Sequence, residues 1–249
     1  MRARFDFLFL LLGLLLVALL PARASADNQV DLQLVLAADA SYSVDDREFA
    51  LQMQGIALAF RDPEVQAAII GGARGRIAVA LMIWAESNRR KQITPWQVLD
   101  SPASAEAFAA MVAGLPRPFD GGTGIGRAIM RAVWLLEKSG FESPRRVIDV
   151  SGDGRETTFR EWSVTPAQAH VAAARRGITV NGLAVLSEEP DLERYYRENV
   201  IGGPGAFVMA ARRIEDFAEA MRLKLIREIK GEVFLGRKAP PAQARPDSG

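Results

Sequence analysis

The chain has 249 residues, 49% of them hydrophobic and 24% charged, with a net charge of +1 and no cysteine. The missing cysteine excludes a disulfide-held scaffold and a lipoprotein acylated at an N-terminal cysteine. The near-balance of charge gives no sign of the concentrated basic stripe that a nucleic-acid partner needs.

The first residues read as an export signal. Arg2 and Arg4 precede an apolar run from Phe7 to Leu20, Pro21 breaks it, and Ala24-Ser25-Ala26 has the small-x-small pattern cut by signal peptidases. The run is shorter than the ~20 residues of a membrane-spanning helix. Residues 1–26 are therefore expected to be removed after Ala26, leaving a periplasmic or secreted protein with no stable membrane anchor. Their removal would take away three arginines and one aspartate and move the net charge from +1 to −1. Residues 233–249 are expected to form a disordered tail, since the stretch from Lys238-Ala-Pro-Pro to Gly249 has almost nothing to bury. The span 27–232 suits one domain with a sizeable core.

In chain order, Leu32 to Ala38 is an apolar run with the character of a buried strand. Phe49, Met53, Ile56 and Phe60 then recur at helical spacing, behind Asp45, Asp46 and Glu48 in a first turn where carboxylates favour the helix dipole. A glycine turn at Gly71, Gly72 and Gly75 leads to a strand from Ile77 to Trp84. A shorter strand over Lys91 to Thr94 pairs with it as a hairpin. A helix is expected from Ser104 to Leu115, closed by Pro116 and Pro118. The glycine-rich stretch Asp120-Gly-Gly-Thr-Gly-Ile-Gly126 flows into a helix with Ile125, Ile129, Val133 and Leu136 on one face. Strands from Arg146 to Ser151 and from Ile178 to Leu186 flank a helix over Pro166 to Arg176, which Gly177 stops. A short helix over Leu192 to Asn199, an edge strand over Ala206 to Ala210 and a final helix from Ile214 to Ile229 complete the series.

Strands alternating with helices, and strands apolar along their whole length, predict a doubly wound α/β fold. Its sheet is mostly parallel, with helices on both faces and one antiparallel edge strand. Ligands of such sheets sit beyond the carboxyl ends of the strands. Three loops reach that edge, and each carries oxygen: Asp39, Ser41 and Ser43 after the first strand, Thr123 between glycines, and Asp153 after the Arg146 strand. An all-oxygen set without sulfur or imidazole suits a hard ion, Mg²⁺ or else Mn²⁺ or Ca²⁺. Neutral hydroxyls leave the ion undercompensated, so a partner's carboxylate would be drawn to it.

Asp39-x-Ser41-x-Ser43, then Gly-Gly-Thr123-Gly, then a strand ending in Asp153-Gly154, resembles the von Willebrand factor type A domain over roughly Val30 to Ile229. That family names the arrangement a metal-ion-dependent adhesion site. The stretch Val147 to Gly154, together with the export signal, is similar to an exported bacterial subgroup of unknown function. The resemblance implies metal-dependent binding of a protein partner, often completed by the partner's acidic side chain, and no catalysis. In one respect the sequence departs from the family: Ser151-Gly152 precedes Asp153 where Thr-Asp-Gly is common, which reshapes that turn.

Other readings stay open at this point. Ser43 would serve equally as a helix N-cap. Asp120 and Asp149 are candidates to stand behind the ligands, Asp149 alternatively being a buried carboxylate held by arginine or backbone donors. Phe159, Arg160 and Trp162 would lie on the rim, where a partner would touch them. The glycines of 121–126 lack a preceding strand and the spacing of a nucleotide fingerprint. His170 is the sole histidine, which leaves no base for a Ser-His-Asp hydrolase. A metal-dependent phosphohydrolase with an aspartate nucleophile would want a second acid where Ser41 stands. A purely structural metal site is the remaining alternative.

Overall fold

The computed structural model describes residues 28–86, 88, 90–158 and 163–231. The proposed signal segment, the tail and the rim residues Phe159, Arg160 and Trp162 lie outside the described residues.

The sheet has seven strands. Its parallel members are β1 (Leu32–Asp39), β2 (Ile77–Trp84), β5 (Arg146–Gly152), β6 (Ile178–Val185) and β7 (Val208–Ala211). They stand in the order β2-β1-β5-β6-β7. On the outer side of β2, β3 (Gln92–Ile93) and β4 (Gln97–Leu99) both pair antiparallel to it. One strand over 91–94 was expected there. The pairing is divided because Pro95 cannot donate to the ladder, while Thr94 meets Leu81 through both its amide and its hydroxyl.

Side chains alternate cleanly across the central strands. Leu32, Leu34 and Leu36 of β1, with Ile77, Val79 and Leu81 of β2, face one core. That core is closed by α1 (Asp46–Arg61), α2 (Pro63–Ile70), α3 (Pro102–Ala113) and α7 (Phe217–Lys230). Val35, Ala37, Met82 and Trp84 face the second core, under α4 (Ile125–Glu137), α5 (Pro166–Ala174) and α6 (Leu192–Asn199). Every residue of β1 and β2 is buried, as expected for strands covered on both faces.

The helix starts are written in short local signals. Asp45 and Glu48 form a reciprocal capping box on α1, with Glu48 N–H donating to Asp45 Oδ1 at 2.7 Å. Ser43 therefore does not cap this helix, and its hydroxyl is left for other work. The separate helix α2, absent from the periodicity reading, begins where Asp62 accepts from the amides of Glu64 and Val65 and Pro63 occupies the first position. Likewise α3 starts at Pro102 behind a Ser101–Ser104 capping box, two residues before the expected Ser104. At the far end a 3₁₀ turn, Ile214–Asp216, precedes α7.

Candidate metal centre

Parallel pairing brings the ends of β1 and β5 together: Ala38 lies opposite Ser151, so Asp39, Gly152 and Asp153 emerge side by side. In the first loop, Asp39 Oδ1 accepts from the Ser41 amide at 2.8 Å, an Asx turn that folds the chain back at the strand end. Ala40 N–H donates to Trp84 O at 2.8 Å, and Arg117 donates to the carbonyls of Ala40 and Ser41. The turn aims both serines the same way. Their hydroxyl oxygens stand 3.2 Å apart, and Ser43 Oγ donates to Asp153 Oδ1 at 2.6 Å. The changed sequence before Asp153 thus costs it nothing in reach.

The second loop is tied to the first by Tyr42 N–H donating to Gly121 O at 2.7 Å. Gly121 has φ +152, and a side chain there would press on Glu86. Thr123 is held by a two-way contact with Thr157: its amide donates to Thr157 Oγ1 at 2.8 Å, and Thr157 N–H donates to Thr123 O at 2.9 Å. A methyl group added at Gly154 would lie 3.7 Å from Ser43 Oγ and 3.7 Å from Thr123 Oγ1. The hydroxyls of the first and second loops therefore approach the third loop at one glycine.

Asp39 is fully buried and Asp153 nearly so. Burial, and then the neighbouring Asp153, push the Asp39 carboxyl up to about 8, and burial raises Asp153 as well. Asp39 Oδ2 has no hydrogen-bond partner among the described residues. A buried carboxylate oxygen with no donor is costly unless a cation faces it. Two carboxylates and three hydroxyls, all oxygen, match the preference of a hard divalent ion that keeps several waters. The described residues contain no group of three or more His, Cys, Asp or Glu side chains placed to hold a metal, so any ion here would lean on hydroxyls and water.

Of the residues singled out in the sequence, Asp39, Ser41, Ser43, Thr123 and Asp153 are brought to one place. Asp120 is exposed on the loop before Gly121. Asp149 lies deeper along β5 and faces α7, where Lys224 Nζ stands 2.8 Å from its Oδ1. Its counter-ion is thus a lysine, where arginine or backbone donors were expected. His170 is a structural histidine whose Nδ1 lies 3.1 Å from Asn199 O.

Several residues were missed. Gln52 donates to Asp39 O at 2.8 Å and accepts from Ser151 Oγ at 2.9 Å, stitching the ends of β1 and β5 to α1. Its place on the apolar face of α1, beside Phe49, Met53 and Ile56, was the available signal. Tyr196 is fully buried, and its hydroxyl has no partner among the described residues. A side chain at Gly152 would come within 2.7 Å of Asp39 Oδ2 and 2.8 Å of that hydroxyl, so only glycine fits. Glu189 holds Arg155 at 2.5 Å and stands 3.9 Å from the same point at Gly154. Neither Tyr196 nor Glu189 belongs to a pattern visible in the sequence.

The fold is that of a von Willebrand factor type A domain. The structure resembles the pilus adhesin SpaC from Lactobacillus rhamnosus GG, with a TM-score of 0.57 and 13% identity over 81% of this chain and 30% of that one. It also resembles a von Willebrand factor type A protein from Catenulispora acidiphila, with a TM-score of 0.55 and 16% identity over 80% and 43%. Proximal thread matrix protein 1 of the mussel byssus gives 0.54 and 13%, over 81% and 47%. At these identities the likeness is one of fold, and this chain spans less than half the length of each. No curated protein matches it in sequence. The chain belongs to the family described as "Protein of unknown function (DUF1194)", which matches residues 29–233.

Proposed function

We propose that the protein is an exported binding module, not an enzyme. In this reading Asp39, Ser41, Ser43, Thr123 and Asp153 hold one divalent cation, Mg²⁺ before Mn²⁺ or Ca²⁺, directly or through water. The ion then recruits an acidic side chain of a protein partner, with Phe159, Arg160 and Trp162 on the contact rim. The observation that carries the reading is the buried, donorless Oδ2 of Asp39 in a cluster where Ser43 links Ser41 to Asp153. The fold it shares with a pilus adhesin and a byssal matrix protein supports the binding class. Among the described residues no helix is long and apolar enough to cross a membrane. Release after Ala26 is checked by N-terminal sequencing of the exported form, which should begin at Asp27.

Calorimetric titration of the purified protein with Mg²⁺, Mn²⁺ and Ca²⁺ tests the centre. One saturable site is expected, absent from Asp39→Ala. Capture of a partner should require both the ion and Asp39. Equal binding by Asp39→Ala would overthrow the assignment, and Asp39-dependent turnover of a phosphate ester would replace the module with a hydrolase.

A further inference from the structure

Outside the candidate centre, the described surface carries a strongly basic groove. A groove of about 550 Å³ lies between the outer face of α4 and the chain leading into β3. Its cations are Arg90, Lys91, Arg127 and Arg131; its apolar contacts are Ile93, Met130 and Trp134. No carboxylate is among the described residues lining it. A second recess of about 430 Å³ shares Arg90, Lys91 and Ile93 and continues to Pro118 and Phe119, just before the loop that carries Thr123. The two recesses share these three residues and so adjoin at the chain entering β3.

The sequence hides this concentration because its charges come from two distant segments. Arg127, Arg131 and Trp134 fall at i, i+4 and i+7, so α4 presents them on one face. All three are exposed, as is Arg90. Among the described acids nearby, the Glu156 and Glu86 carboxylates act on Lys91, and Glu137 has a partner of its own. Glu137 pairs with Arg176 at 3.0 Å, Glu156 accepts from the Gly126 amide at 2.9 Å, and Lys91 donates to the Glu86 carbonyl at 2.7 Å. Lys91 is pushed down to about 8 by burial and then by Arg127, against the opposing pull of Glu156 and Glu86. Arg90, Arg127 and Arg131 gathered around one cleft repel one another, and an incoming anion would relieve that repulsion.

We propose that this groove docks an acidic, partly apolar peptide segment of a protein partner. The inference goes beyond the metal-centred reading, because no ion enters it. Carboxylates of an extended segment would meet the guanidinium groups along the walls, and an apolar side chain would seat on Met130 and Ile93. The Arg131 guanidinium stacks 4.1 Å above the Trp134 ring, which fixes its plane and presents its edge to a carboxylate. The cations line a concave wall, which favours an extended peptide over the broad flat face of a bilayer.

The probe is a fluorescein-labelled, glutamate-rich peptide with a central leucine, followed by fluorescence anisotropy on the full chain in EDTA. Saturable binding is expected without metal, weakening as salt screens it. Arg127→Glu/Arg131→Glu should weaken it about tenfold or more, and Trp134→Ala by a smaller factor, while Asp39→Ala leaves it unchanged. All three groove positions are exposed on α4, and circular dichroism checks that the variants stay folded. The proposal is overturned if the peptide does not bind, or binds the double reversal as well as the wild type. Arginine-dependent binding of phosphatidylglycerol vesicles without peptide binding would overturn it in favour of a membrane surface. Metal titration of the double reversal reports separately on the centre: an ion bound with peptide lost leaves that site standing, and peptide bound with no ion in any variant leaves only the groove.

Discussion

Two clusters of buried carboxylates lie on β1, β5 and their neighbours, and they solve the same electrostatic problem differently. Midway along β5, Asp149 meets the fully buried Lys224 at 2.8 Å, and Lys224 also pairs with Glu228, itself held by Asn181 Nδ2 at 2.7 Å. Arg145 adds hydrogen bonds to the Glu228 and Ile229 carbonyls at the end of α7. At the strand ends, among the described residues, Asp39 and Asp153 are met only by hydroxyls and amides. The first cluster receives its cation from the chain and locks α7 onto the sheet. The second is left short of positive charge, which is a poor way to stabilise a fold and a good way to hold an ion.

The sharpest test of this contrast is to remove the internal cation. Lys224→Met leaves Asp149 and Glu228 buried without a counter-charge and should lower stability by about 3–5 kcal/mol in urea unfolding. A loss under about 1 kcal/mol would show that the cluster does not fix α7. The opposite sign is expected at the strand ends. There the metal-free protein must force a buried carboxyl to stay protonated, so Asp39→Asn should raise metal-free stability by roughly 2 kcal/mol near neutral pH. The same variant should gain nothing from added Mg²⁺, whereas the wild type should be stabilised in proportion to ion concentration.

A third test uses pH. Burial, opposed by Lys224 and reinforced by Glu228, raises Asp149 from its ordinary 3.8 to about 7. The folded state then holds a proton that the unfolded chain has released, so this group's contribution is full at low pH and is lost as pH rises through that window. The slope is up to about 1.4 kcal/mol per pH unit for one group. Asp149→Asn should lack this term, and its stability relative to the wild type should climb between those values. A flat difference would mean that Asp149 stays ionised beside Lys224. The smallest effect is expected from Tyr196→Phe, which deletes a buried hydroxyl with no partner among the described residues and should change stability by less than about 1 kcal/mol.

The contrast also explains what could be read from the sequence. The long strands were legible because β1, β2, β5 and β6 are apolar along nearly their whole length, and the ends of those runs fixed where the loops begin. Ser43 and Asp153, far apart in sequence, were placed together by topology alone, and they meet through a hydrogen bond. The internal cluster was half legible. Asp149 stood out in an apolar run, but Lys224 lies in a helix with other charged residues, where a lysine looks solvated. Only the packing of α7 against β5 turns it inward. Short elements such as α2 and β4 were missed for a related reason: α2 depends on a cap and a proline, and β4 on three residues, none of which sets up a period.

The margins of the sheet carry a consequence of their own. On one side the outermost strands are β3 and β4, with two and three residues; on the other is β7, with four. The strands long enough to template another chain, β1, β2, β5 and β6, all have neighbours on both sides. Edge-to-edge polymerisation therefore finds little unpaired backbone to grip among the described strands, and Pro95 interrupts one of the two sides. With these margins the described sheet offers copies of the chain little backbone through which to join.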